Sequence, residues 1–82
     1  MNFVTRTLLT IVTEAALEQN LAGVIERFGA QGYTVTDARG KGSQGLHDAQ
    51  WEFTSNIRIE VVCERKVAED IVAHLREKYY DN

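Results

Sequence analysis

The sequence holds one cysteine, no proline, and no apolar run near the ~20 residues that a membrane-crossing helix needs. Cys63 alone cannot close an intrachain disulfide, so the fold is not stapled. Positive charge is also short, with nine Lys and Arg against twelve Asp and Glu and a net charge of −3. That balance argues against a broad phosphate-binding face for nucleic acid, though it leaves room for a local pocket holding one small anion. The early apolar stretch, Leu8 to Val12, is short and no small-residue cleavage site follows it. Internal repeats and low-complexity tracts are missing. What remains is one domain of 82 residues. A chain of that size buries only about 60–65% of its unfolded surface, so oligomerisation or a ligand would support its thin core. The expectation is a soluble cytoplasmic protein with no nucleic-acid partner and no membrane insertion.

Apolar periodicity divides the chain into alternating strands and helices. Thr5 to Val12 is β-branched and aliphatic without a turn former, which predicts a strand. Thr13 is placed to cap a helix from Glu14 to about Phe28, with Leu17, Leu21, Val24, Ile25 and Phe28 on its apolar side. Gly29 stands where a helix-terminating glycine belongs, and Gly32 turns the chain out. A second strand is predicted over Tyr33 to Arg39, with Thr34 and Thr36 on one face and Tyr33 and Val35 on the other. Asn56 to Cys63 alternates most cleanly, Ile57, Ile59 and Val61 against Arg58, Glu60 and Val62. Lys66 to Tyr80 reads as a second helix burying Val67, Ile71, Val72, Leu75 and Tyr79. The order is strand, helix, strand, long loop, strand, helix. It predicts an α+β fold, a ferredoxin-like split βαβ sandwich whose βαββαβ pattern lacks its last strand within these residues. Both helices then cover one face of an antiparallel sheet, and the face bearing Thr34, Thr36, Arg58 and Glu60 needs water or another subunit.

The loop from Gly40 to Ser55 is longer than most connections in a small domain, and such loops tend to be functional. Its first part, Arg39-Gly40-Lys41-Gly42-Ser43-Gln44-Gly45, has the make-up of an anion cradle. Glycines let backbone N–H groups approach a phosphate, Lys41 supplies a charge, and Ser43 and Gln44 can donate hydrogen bonds. It is not a Walker motif, since the spacing differs and no helix follows. The alternative for this stretch is a solvated loop. No spacing resembles a closed metal site: His47 and His74 are far apart, and Asp70 with His74, an i, i+4 pair that could hold a metal, reads better as a solvated helix-face pair. Ser43, His47 and Asp48 cannot be held as a rigid triad by five residues of glycine-rich loop.

Gly32-Tyr33-Thr34-Val35-Thr36-Asp37, then Gly40-Lys41-Gly42-Ser43, then Asn56-Ile57-Arg58-Ile59-Glu60-Val61-Val62 resemble the PII signal-transduction superfamily, most of all its branch associated with carboxysomes and bicarbonate transporters. The resemblance implies a single PII-like domain over residues 1–82 with a T-loop at about 40–55. It implies a homotrimer that binds an adenine nucleotide of the AMP, ADP or ATP class between subunits and is not an enzyme. By that resemblance Thr34 meets the adenosine, Gly40, Lys41, Gly42, Ser43 and Gln44 wrap the phosphates, and Glu60, Val61 and Val62 turn their backbone to the adenine. Nitrogen-regulating members carry an arginine where this chain has Ser43, so Lys41 or Arg58 must supply phosphate charge. The T-loop has no tyrosine to uridylylate; its aromatic residues are Trp51 and Phe53. Bicarbonate is implied as a second ligand, with Gly45 and His47 as its candidate contacts, and a bicarbonate transporter or carboxysome-related protein as the partner. No cofactor or metal is implied. Two other readings remain, an acylphosphatase-type hydrolase and a structural trimer related to copper-tolerance proteins. The hydrolase needs a glycine- and arginine-bearing loop after strand one, which Val12-Thr13-Glu14-Ala15 does not provide.

Overall fold

The central strand organises everything else. In a computed structural model describing residues 1–40 and 55–80, the elements are β1 (Thr7–Glu14), α1 (Glu18–Arg27), β2 (Thr34–Ala38), β3 (Asn56–Cys63) and α2 (Arg65–Leu75). The three strands form one sheet in the order β1-β3-β2, with β3 antiparallel to both neighbours. β1 and β2 therefore run parallel with β3 inserted between them, which is the split βαβ arrangement.

Alternation along β3 decides which face is covered. Ile57, Ile59, Val61 and Cys63 are buried, and they pack with Leu21, Val24 and Ile25 of α1 and Ala68 and Ile71 of α2. Leu9, Ile11 and Val35 join this core from the flanking strands. The predicted ferredoxin-like α+β class, with both helices on one face, is thus the fold of this chain. The other face is bare. Leu8, Val12 and Val62 stand 57%, 52% and 62% exposed there, beside Thr10, Thr34, Thr36, Arg58 and Glu60. The face is therefore mixed, three exposed aliphatic side chains among polar and charged ones.

Several predicted boundaries need correction. β1 begins and ends two residues later than Thr5 to Val12, because Thr13 and Glu14 pair with Ile57 and Asn56 rather than starting a helix. Thr13 is accordingly a strand residue, not a cap. The helical segment opens with a 3-10 turn, Ala15–Leu17, and α1 starts at Glu18 without a side-chain cap. β2 is shorter than Tyr33 to Arg39; Tyr33 lies outside it and is 39% exposed. α2 starts at Arg65, and the last predicted turn is a π-helical segment, Arg76–Tyr80, whose Tyr79 is 40% exposed rather than buried.

The end of α1 behaves as its glycine predicts. Gly29 has φ of 97°, its N–H donates to Glu26 O at 3.1 Å, and the Ala30 N–H donates to Ile25 O at 3.2 Å. Those two bonds are the pair of a Schellman motif, which returns the chain to the core at buried Ala30.

Candidate functional site

Strand parity places the backbone groups that a ligand could reach. The Ala15 N–H donates to Ser55 O at 2.9 Å, and these two residues continue the β1–β3 register. Hydrogen-bonded pairs alternate along an antiparallel ladder, so Ile57, Ile59, Val61 and Cys63 bond toward β1. Asn56, Arg58, Glu60 and Val62 then present their N–H and C=O toward β2. Glu60 meets Thr34 there, but β2 begins at Thr34, so no β2 residue stands in register opposite Val62. The main chain of Val62 thus faces the end of β2 with an unmatched donor and acceptor position, and its side chain lies on the open face.

The structure brings together one part of the predicted site and separates another. Thr34, Glu60 and Val62 form a group at the start of β2, with Thr34 and Glu60 cross-strand neighbours on the open face. Arg58 is opposite Thr36, one step along the same face, and is exposed. Val61 differs from its neighbours: its side chain is fully buried in the core and its backbone bonds toward β1, so it contributes nothing direct to this face. Gly40 lies at the far end of β2, six residues beyond Thr34 and so at most about 20 Å from it. Lys41, Gly42, Ser43, Gln44, Gly45 and His47 lie outside the described residues, as do Trp51 and Phe53. The two ends of that segment leave the sheet side by side, because Ala38 pairs with Asn56.

Asp70 and His74 each meet a different partner. Asp70 accepts from the Lys66 ammonium at 3.0 Å, and this contact raises the Lys66 pKa above its usual value through the hydrogen bond and the adjacent charge. His74 Nε2 is 3.2 Å from the Arg27 guanidinium, and its ring sits 5.3 Å from that of Phe28. Among the described residues no group of three His, Cys, Asp or Glu could hold a metal ion. No described helix is long and apolar enough to cross a membrane.

The sequence over residues 6–82 matches the family model of the nitrogen regulatory protein P-II. The chain belongs to the PII family. A PII-like signaling protein from Thermus thermophilus is 43% identical over 94% of this chain and 76% of that one, with a TM-score of 0.75. Two structures of CPII from Thiomonas intermedia share the PII fold at lower identity. One, bound to ADP and bicarbonate, is 21% identical over 92% of this chain and 74% of that one, with a TM-score of 0.74. The other, bound to ADP, AMP and acetate, is 15% identical over 94% and 79%, with a TM-score of 0.71. PII proteins are regulators, and this chain has the PII fold.

What the sequence missed was the division within β3. Treating Glu60, Val61 and Val62 as one backbone stretch overlooked that only alternate residues point to β2. The alternation of Ile57, Ile59 and Val61 with Arg58, Glu60 and Val62 already carried that signal.

Proposed function

We propose that this PII protein is a sensor of adenine nucleotides, which it binds in clefts between the subunits of a homotrimer. The observation that carries the reading is the position of Val62. Its main-chain donor and acceptor lie past the end of β2, next to Thr34, where the edge of a flat base could replace the absent strand residue. A nucleotide seated there and running along β2 passes Arg58 and reaches Gly40. Phosphate then falls to Arg58 and to the loop base of Gly40, Lys41, Gly42, Ser43 and Gln44, where glycine allows close backbone approach. Glu60 borders the nucleoside end of the same cleft.

A single PII-like domain over residues 1–82, with a T-loop at about 40–55, completes the proposal. Because the loop's two roots flank β2 and β3, a ligand that prefers one loop state biases the loop by its differential affinity, and the loop reports to a partner. Bicarbonate is the proposed second ligand, near Gly45 and His47, and inorganic-carbon handling the proposed setting. Support for this comes from the resemblance to the carboxysome-associated branch and from CPII, which shares the fold and was solved with ADP and bicarbonate.

Calorimetric titration with AMP, ADP and ATP, each with and without bicarbonate, tests the proposal. Binding heat is expected for at least one nucleotide, and Lys41→Ala should weaken it by about tenfold, the scale of one charge-assisted hydrogen bond. Gly42→Val should weaken it further, since a branched side chain blocks backbone approach to phosphate. No heat with any nucleotide would leave a structural trimer as the better reading, and turnover of an acyl phosphate would favour the hydrolase.

A further inference from the structure

The open face of the sheet carries two opposite charges at its centre, and neither is met within its own subunit. Glu60 stands between Thr10 of β1 and Thr34 of β2, and Arg58 between Val12 and Thr36. Both lie on the central strand, two residues apart and therefore on the same face, roughly 6.6 Å from each other along it. Among the described residues neither side chain forms an ion pair or a hydrogen bond, although three ion pairs form elsewhere on the surface. The cross-strand neighbours are three threonines and a valine, which bring no counter-charge. A strand added at either edge of a sheet extends its plane and leaves this face uncovered.

In the isolated subunit water solvates both groups, Arg58 being exposed and Glu60 half-buried. Trimerisation over this face removes much of that water. A charge left unpaired at an interface is costly, whereas a charge paired across it fixes the register in which partners meet and suppresses the wrong ones. Threefold symmetry narrows the choice further. It repeats every contact three times, so the face either gathers like residues around the axis or sets Arg58 of one copy against Glu60 of the next. The first arrangement brings three guanidinium groups together and three carboxylates together. The second joins each charge to its opposite, and the planar guanidinium can meet a carboxylate through two hydrogen bonds.

We infer that Arg58 of each copy pairs with Glu60 of the next, so that three ion pairs close a ring about the axis of the homotrimer. The inference rests on the trimer proposed above and names the residues that set its register. Leu8 and Val62, more than half exposed in the single subunit, supply apolar contact beside the ring. Apolar contact alone does not specify how the copies are turned; the charge pairs do.

Sedimentation equilibrium of charge-reversed chains tests the inference. It is run without nucleotide, because Arg58 also borders the proposed phosphate position. Arg58→Glu and Glu60→Arg should each weaken trimer association by roughly a hundredfold, the scale of opposing like charges where an interfacial pair stood. The double variant Arg58→Glu with Glu60→Arg should recover association to within about tenfold of the parent, since it rebuilds each pair in the opposite sense. Glu60→Gln, which keeps the shape and removes the charge, should fall between the parent and Glu60→Arg. Circular dichroism of each variant establishes that the subunit is folded, as both positions lie outside the apolar core. A trimer whose single reversals sediment like the parent, or a double variant that associates no better than the singles, would overturn the inference and leave the proposed trimer standing. A parent chain that stays monomeric would overturn both.

Discussion

Val62→Asp separates the stability of the subunit from that of the proposed trimer. Val62 is 62% exposed on the open face, and its cross-strand neighbour Leu8 is 57% exposed. Little apolar contact is lost in the isolated subunit, so the change there should stay near the ~1 kcal/mol span of strand preferences. Complete burial of a valine side chain contributes about 1.5–3 kcal/mol. With roughly six-tenths of that still unrealised, trimerisation over this face should bring in about 1–2 kcal/mol per subunit. Three subunits give about 3–6 kcal/mol, or roughly a hundredfold to ten-thousandfold in the association constant. An ionised carboxylate forced into the interface adds to the loss. Sedimentation equilibrium across micromolar concentrations is the assay, with denaturant unfolding of the dissociated subunit as its companion. Val62→Thr keeps the branched shape and should give an intermediate shift. An unchanged trimer with Val62→Asp, or a parent chain that stays monomeric throughout, would refute burial of this face.

Three further outcomes concern the scaffold. Ile59→Ala should destabilise the fold by about 2–4 kcal/mol, since Ile59 is fully buried between Ile11 and Val35 in the central strand; urea unfolding measures it, and a loss below ~1 kcal/mol would mean the core closes over the gap. Gly29→Ala should cost about 1 kcal/mol because φ of 97° strains any residue with a Cβ, although open space surrounds that position; equal stability by thermal unfolding would contradict it. Asp70→Asn should return the Lys66 pKa toward its usual value, followed by NMR titration of the lysine side chain. A lysine pKa raised by folding stabilises the native state below the unfolded pKa, and that contribution fades as pH rises through the folded one. Parent and Asp70→Asn should therefore converge in stability at strongly alkaline pH; an unmoved Lys66 titration would remove Asp70 as the cause.

The fold was legible wherever the local preferences agreed. β3 has the predicted bounds because strict alternation, β-branched side chains and burial on one face all agree over Asn56 to Cys63. Gly29 was equally clear, since a positive φ after a helix has few substitutes for glycine. The start of α1 was not legible because two preferences competed at Thr13. A threonine before an acidic residue satisfies the rule for a helix cap, yet it also extends a β-branched run, and pairing with Ile57 won. Once Thr13 and Glu14 entered the sheet, the chain had to turn through Ala15–Leu17 before α1 could begin uncapped. Tyr79 failed for a related reason. Helical periodicity placed it with Leu75, but the chain widens into a π-helical turn over Arg76–Tyr80 and the angular register drifts.

The candidate site was legible in its side chains and less so in its backbone. Thr34, Arg58 and Glu60 were placed together on one face by a period of two, and they lie there. Which main-chain groups remain for a ligand depends on strand length as well as period. β3 outruns β2 by three residues, and that mismatch leaves Val62 without an opposite number. No property of Glu60, Val61 or Val62 read singly reveals it, because pairing belongs to two segments separated by the whole loop. A short β2 exposes one backbone position beside a polar face, suited to a small ligand. Thr34→Val, which removes the hydroxyl beside that position, should therefore weaken nucleotide binding in calorimetric titration and leave the unfolding midpoint in urea near that of the parent; unchanged affinity would take Thr34 out of the proposed site.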